Sequence, residues 1–120
     1  MIDTLRTQGV AITSLQALSI PSTELMLQAA NSLIPKIPQS TSQNKNEYVV
    51  HATPQQVLEH KEIFIWGLEQ RLINIIENYI GLPVAYHGAY FRRDLVNPVQ
   101  VKSRLWHLDP EDRKVLKVII

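Results

Sequence analysis

The chain has 120 residues, 45% apolar and 19% charged, the proportions of one ordinary globular domain rather than of a disordered or two-domain chain. It holds no cysteine, which excludes disulfides, thiolate metal sites and cysteine nucleophiles and leaves His, Asp and Glu as metal-ligating side chains. The net charge of +1 is unevenly spread: residues 1–91 carry five basic and seven acidic side chains, residues 92–120 seven basic and four acidic.

A cationic tail of this kind attracts anions or nucleic acid, but Lys and Arg scattered over solvated faces are the simpler account. A nucleic-acid interface would interleave aromatics with a basic stripe, and no such stripe is evident. Met1 to Arg6 lacks the basic and apolar regions of a leader, and no apolar run approaches the roughly 20 residues of a membrane span. The expectation is a cytoplasmic protein with neither a membrane nor a nucleic acid as partner.

In chain order, residues 2 to 8 read as a short helix broken by Gly9, and a brief strand follows near 10–13. Pro21-Ser22-Thr23-Glu24 opens a second helix: Ser22 or Thr23 can cap it, Glu24 suits its positive end, and Pro35 and Pro38 end it. Residues 39–47 are almost wholly polar and read as a mobile surface loop within the domain. Thr53 as N-cap and Pro54 at the first helical position then start a long helix running to Ile80, with Gly81 as its stop and Pro83 beyond.

On that helix Phe64, Leu68, Leu72, Ile75, Ile76 and Tyr79 recur at spacings of three and four, and Ile65, Trp66, Ile73 and Ile80 widen the stripe. Glu59, Glu62, Glu69, Gln70, Arg71, Asn74 and Glu77 form the opposite, solvated face. After Pro83 the pattern changes: 84–95 and 99–105 read as strands separated by an Asn97-Pro98 turn, and 114–120 (KVLKVII) as another. Helices first and strands afterwards suggest an α+β fold in which a helical layer backs an antiparallel sheet. The last strand ends on an apolar run with no cap, so the chain reads as a fragment whose strand partners lie downstream.

Of the four histidines, His51, His60 and His87 read as surface or half-buried polar residues. His107 differs in its setting. Trp106-His107-Leu108-Asp109 lies between two expected strands, and the pleat puts 107 and 109 on one face. An imidazole and a carboxylate so placed can supply two ligands of a 2-His-1-carboxylate iron(II) site, though His-x-Asp alone is a weak motif and a histidine bonded to Asp109 at the start of a turn also explains it.

The wider stretch weighs on the first side. Tyr90-Phe91-Arg92-Arg93-Asp94, then Ser103 to Val118 with Trp106-His107-Leu108-Asp109 at its centre, resembles the metal-binding strand region of phytanoyl-CoA dioxygenase-like oxygenases, which depend on iron(II) and 2-oxoglutarate. The resemblance extends from about Leu82 to Ile120 and is only architectural before that.

The resemblance implies a single domain over 1–120, with a helical layer at 1–81 and the first strands of a double-stranded β-helix (jelly-roll) barrel at 82–120. It makes His107 and Asp109 metal ligands, and implies Fe(II) as cofactor, 2-oxoglutarate as cosubstrate, and O₂ with a small-molecule substrate. A second metal-binding histidine and an arginine for 2-oxoglutarate would lie beyond Ile120. Tyr90, Arg92 and Lys117 are conceivable contacts for the anionic cosubstrate, each also explained as a solvated or core residue. Two other readings remain: an α+β scaffold with a structural His-Asp pair, and an anion-binding module using the basic tail.

Overall fold

A computed structural model of the chain describes residues 1–39, 48–96, 105 and 114–120. The fold is α+β. Among the described residues, six helices and one 3-10 turn accompany a two-stranded antiparallel sheet, in the order α1 (Ile2–Gln8), α2 (Leu15–Leu18), α3 (Thr23–Leu33), the 3-10 turn (Ile34–Lys36), β1 (Val49–His51), α4 (Pro54–Glu59), α5 (Lys61–Trp66), α6 (Gln70–Ile80) and β2 (Arg92–Asp94).

The first helix ends as its sequence dictates. Gly9 takes the left-handed conformation (φ 75°) and its amide bonds back to the Leu5 carbonyl, a termination that costs a residue without a Cβ little. Residues 10–13, expected as a strand, form no regular structure: Ile12 is 97% exposed and no described residue pairs with the segment. It leads instead to Ser14, whose hydroxyl accepts from the Ala17 amide and starts α2.

At α3 the expected polar cap is rerouted. Ser22 occupies the cap position, but its hydroxyl donates to Glu69, while the Thr23 hydroxyl donates to the Ile20 carbonyl at 2.7 Å and accepts from the Trp66 indole at 3.0 Å. These bonds hold α3 against α5 and the start of α6. Between them lies the main core, Ile20, Met26, Trp66 and Leu72, with Leu15, Leu18, Leu27 and Ile76 packed around it. Leu5, Leu33 and Ile37 are also buried. Each such side chain contributes about 1.5–3 kcal/mol by leaving water.

The long helix expected from Thr53 to Ile80 is three helices. Its start is correct in detail: Thr53 Oγ1 accepts from the Gln56 amide, Gln56 Oε1 accepts from the Thr53 amide, and Pro54 stands at the first helical position. The first break comes at His60 (φ −120°, ψ 46°), which is buried rather than at the surface or half-buried as expected. The second falls at 67–69, where Glu69 turns extended (ψ 128°) and starts α6 afresh. The breaks re-aim the apolar face. Trp66 and Leu72 enter the core, whereas Phe64, Ile65 and Leu68 of the expected stripe are 39–46% exposed. Gly81 ends α6 in the left-handed region (φ 82°), as its position suggested.

Among the described residues the sheet is smaller than expected. Of 84–95 only Arg92–Asp94 is strand, and its antiparallel partner β1 precedes the central helices, so strands do not simply follow helices. Val49 faces Asp94, Val50 faces Arg93 and His51 faces Arg92, and the bonds Ala52 N to Phe91 O and Leu95 N to Tyr48 O (each 2.8 Å) extend the ladder. The segment 114–120 is not a strand. Lys114 Nζ donates to the Tyr79 and Ile80 carbonyls at 3.1 and 3.0 Å and stands over the Tyr79 ring, so it serves the C-terminal end of α6. All but Gln39 of the expected loop at 39–47, the Asn97-Pro98 turn and nearly all of the strand at 99–105 lie outside the described residues. No helix among the described residues is long and apolar enough to cross a membrane.

Candidate functional site

The two residues on which the iron reading turns, His107 and Asp109, lie outside the described residues, as does Trp106. Among the described residues no three His, Cys, Asp or Glu side chains gather as a metal site.

The three candidate contacts for an anion are described. Tyr90 is 79% exposed just before β2, Arg92 is the first residue of β2, and Lys117 is exposed within 114–120. Strand alternation separates Arg92 and Asp94 from Arg93: the first two share the exposed face, where Arg92 Nε stands 3.5 Å from Asp94 Oδ1. A pair so exposed is worth no more than about 1 kcal/mol, and an anionic ligand at Arg92 would compete with Asp94 for the guanidinium. Arg93 points the other way. Its Nη2 donates to the Ile34 carbonyl at 3.0 Å and its Nε is buried with no partner among the described residues, so it fastens the sheet to the 3-10 turn after α3.

Of the other histidines, His51 lies in β1 and is exposed, as is His87. His60 forms a polar knot that its sequence setting does not announce. Its Nδ1 lies 2.7 Å from the Gln56 carbonyl and its Nε2 3.3 Å from Lys36 Nζ, while Gln56 Nε2 donates to the Lys36 carbonyl at 3.3 Å. An ammonium only donates, so Nε2 is the acceptor and Nδ1 carries the hydrogen. The knot satisfies the buried ring and ties the break between α4 and α5 to the 3-10 turn.

Three members of the supposedly solvated face of the central helices are also employed. Glu69 accepts from Ser22, Glu77 accepts from the Val84 amide at 3.3 Å, and Arg71 Nε donates to the Leu18 carbonyl at 2.7 Å. Beside Arg71 lies an open hollow of 440 Å³ lined by Ile2 of α1 and by Arg71, Asn74, Ile75 and Asn78 of α6. The spacing of those four α6 residues is visible in the sequence. That α1 would lie against them is not.

Tyr86 donates to the Phe64 carbonyl at 3.1 Å, and burial of this end of the residue pushes its phenol above the ordinary 10.0. Comparison with protein-family models, curated proteins and solved structures finds no match for the chain.

Proposed function

We propose that this chain is the amino-terminal part of an iron(II)- and 2-oxoglutarate-dependent oxygenase of the phytanoyl-CoA dioxygenase-like kind, acting on a small-molecule substrate. The observation that carries the reading is Trp106-His107-Leu108-Asp109 within the resembling stretch from Leu82 to Ile120. An α+β architecture is compatible with it, and the jelly-roll barrel is part of the proposal.

The donor set fits the metal. A neutral imidazole and a carboxylate, with no thiolate anywhere in the chain, suit iron(II) and leave positions for exchangeable ligands. His107 would offer a ring nitrogen and Asp109 a carboxylate oxygen, with a second histidine and the arginine for 2-oxoglutarate supplied by the rest of the protein. Iron held there would activate O₂, the oxidant, so that decarboxylation of 2-oxoglutarate to succinate and CO₂ would accompany hydroxylation of a substrate C–H bond. Of the candidate cosubstrate contacts, Arg92 would have to leave Asp94 to take part.

Cobalt(II), an oxidation-stable substitute for iron(II), tests the ligand pair by titration into the chain. The expected result is binding that weakens at least about tenfold in both His107→Ala and Asp109→Ala. Binding that ignores both substitutions would favour the scaffold reading. Salt-dependent capture of an oligonucleotide, indifferent to His107→Ala, would favour the anion-binding module.

A further inference from the structure

We infer that the outer edge of β2 pairs antiparallel with the same edge of a second copy of this chain, joining two ribbons into one four-stranded sheet. The backbone provides the opening. Phe91 and Leu95 bond to Ala52 and Tyr48, and Arg93 stands opposite Val50, so the bonding groups of residues 91, 93 and 95 point toward β1. Those of Arg92 and Asp94 point the other way, where no described strand meets them. A ribbon of two short strands is marginal by itself, and an open edge is a template for a further strand.

The side chains say which strand fits. From Tyr90 to Val96 exposure alternates without a slip, and Tyr90, Arg92, Asp94 and Val96 make up the exposed set, Tyr90 and Val96 almost wholly so. Pairing this run with itself about a two-fold axis at Arg93 sets Arg92 opposite the partner's Asp94 and Asp94 opposite the partner's Arg92. One step further out, Tyr90 meets the partner's Val96. Opposite-charge and aromatic–β-branched pairs are both kinds that stabilise a sheet.

The backbone accepts the same register. Residues 92 and 94, whose bonding groups face outward, form the hydrogen-bonded pairs, and Arg93 on the axis falls at a non-bonded one. The two Arg93 side chains lie on the other face of the sheet, each bound to its own Ile34 carbonyl. Sliding one strand by two residues either way sets Asp94 against the partner's Asp94 or Arg92 against the partner's Arg92, so charge fixes the register. This self-complementarity favours a second copy over an unrelated strand, and an isologous pair of this kind closes the edge. The interface is independent of the oxygenase reading, since neither His107 nor Asp109 takes part.

Sedimentation of the chain over a concentration series reads the association. The contact is small, so the expected dimer dissociation constant is about 10–500 µM, with amide exchange at Arg92 and Asp94 slowing as concentration rises. Arg92→Asp and Asp94→Arg each set like charges opposite one another at both pairs, and each is expected to weaken self-association at least about tenfold. An equimolar mixture of the two variants should associate as tightly as the parent chain, because one then carries two acids and the other two bases at the facing positions. Both positions are exposed, and unchanged circular dichroism verifies that the variants fold. A chain monomeric up to about 1 mM, a dimer indifferent to either substitution, or a mixture that associates no better than the single variants would overturn the assignment.

Discussion

Tyr86 closes over Gly67. Its hydroxyl donates to the Phe64 carbonyl at 3.1 Å, its ring lies 5.0 Å from the Phe64 ring at a tilt of 54°, and the space that a Cβ on Gly67 would need is filled by the phenol. Gly67 itself is right-handed (φ −65°), so its small size and not its backbone freedom is what the position requires. Gly67→Ala therefore overpacks the contact and is expected to cost about 1–3 kcal/mol in urea unfolding. In a Tyr86→Ala background most of that cost should vanish, and an undiminished cost there would mean that Tyr86 is not the obstacle.

The same tyrosine gives a pH prediction. Burial penalises the phenolate, so the folded pKa stands above 10.0, and the stability tied to the neutral phenol is present below that value and lost as pH rises through the folded one. Difference absorbance between the parent chain and Tyr86→Phe isolates its ionisation. A midpoint at or below 10.0 would contradict the buried contact.

The cap of α4 can be read separately. Thr53→Ala removes the acceptor for the Gln56 amide and should cost about 1 kcal/mol, with Thr53→Ser restoring most of it. Since Gln56 also holds Lys36, amide hydrogen exchange should quicken from Val57 to His60 in the alanine variant.

Apolar residues of similar kind should differ widely in importance. Leu33 is 0% exposed and Ile12 97% exposed. Leu33→Ala is expected to lower stability by about 2–5 kcal/mol and Ile12→Ala to change it by less than about 0.5 kcal/mol, measured as unfolding midpoints at constant slope.

The features legible in the sequence were those settled within a few residues. Gly9 and Gly81 as helix stops, Thr53-Pro54 as a helix start and the α+β class all correspond to observed elements. The described strands were misread in extent and order because three-residue elements carry too little alternation to register, and because, among the described residues, β1 forms its ladder with β2, some forty residues away. The iron ligands rest on the sequence alone, since His107 and Asp109 lie outside the described residues.

The sequence by itself determined the helix stops at Gly9 and Gly81 and the helix start at Thr53-Pro54, because capping and glycine handedness act within one turn of chain. Only the tertiary structure decided that a single apolar stripe would be cut at His60 and Glu69, since an unbroken helix cannot both bury His60 against Lys36 and place Glu69 under Ser22. It likewise decided that Trp66 would be buried and Phe64 left at the surface. Helical periodicity marks which residues share a face, but the partners that cover a face come from distant segments, and here Thr23 and Met26 of α3 draw Trp66 inward.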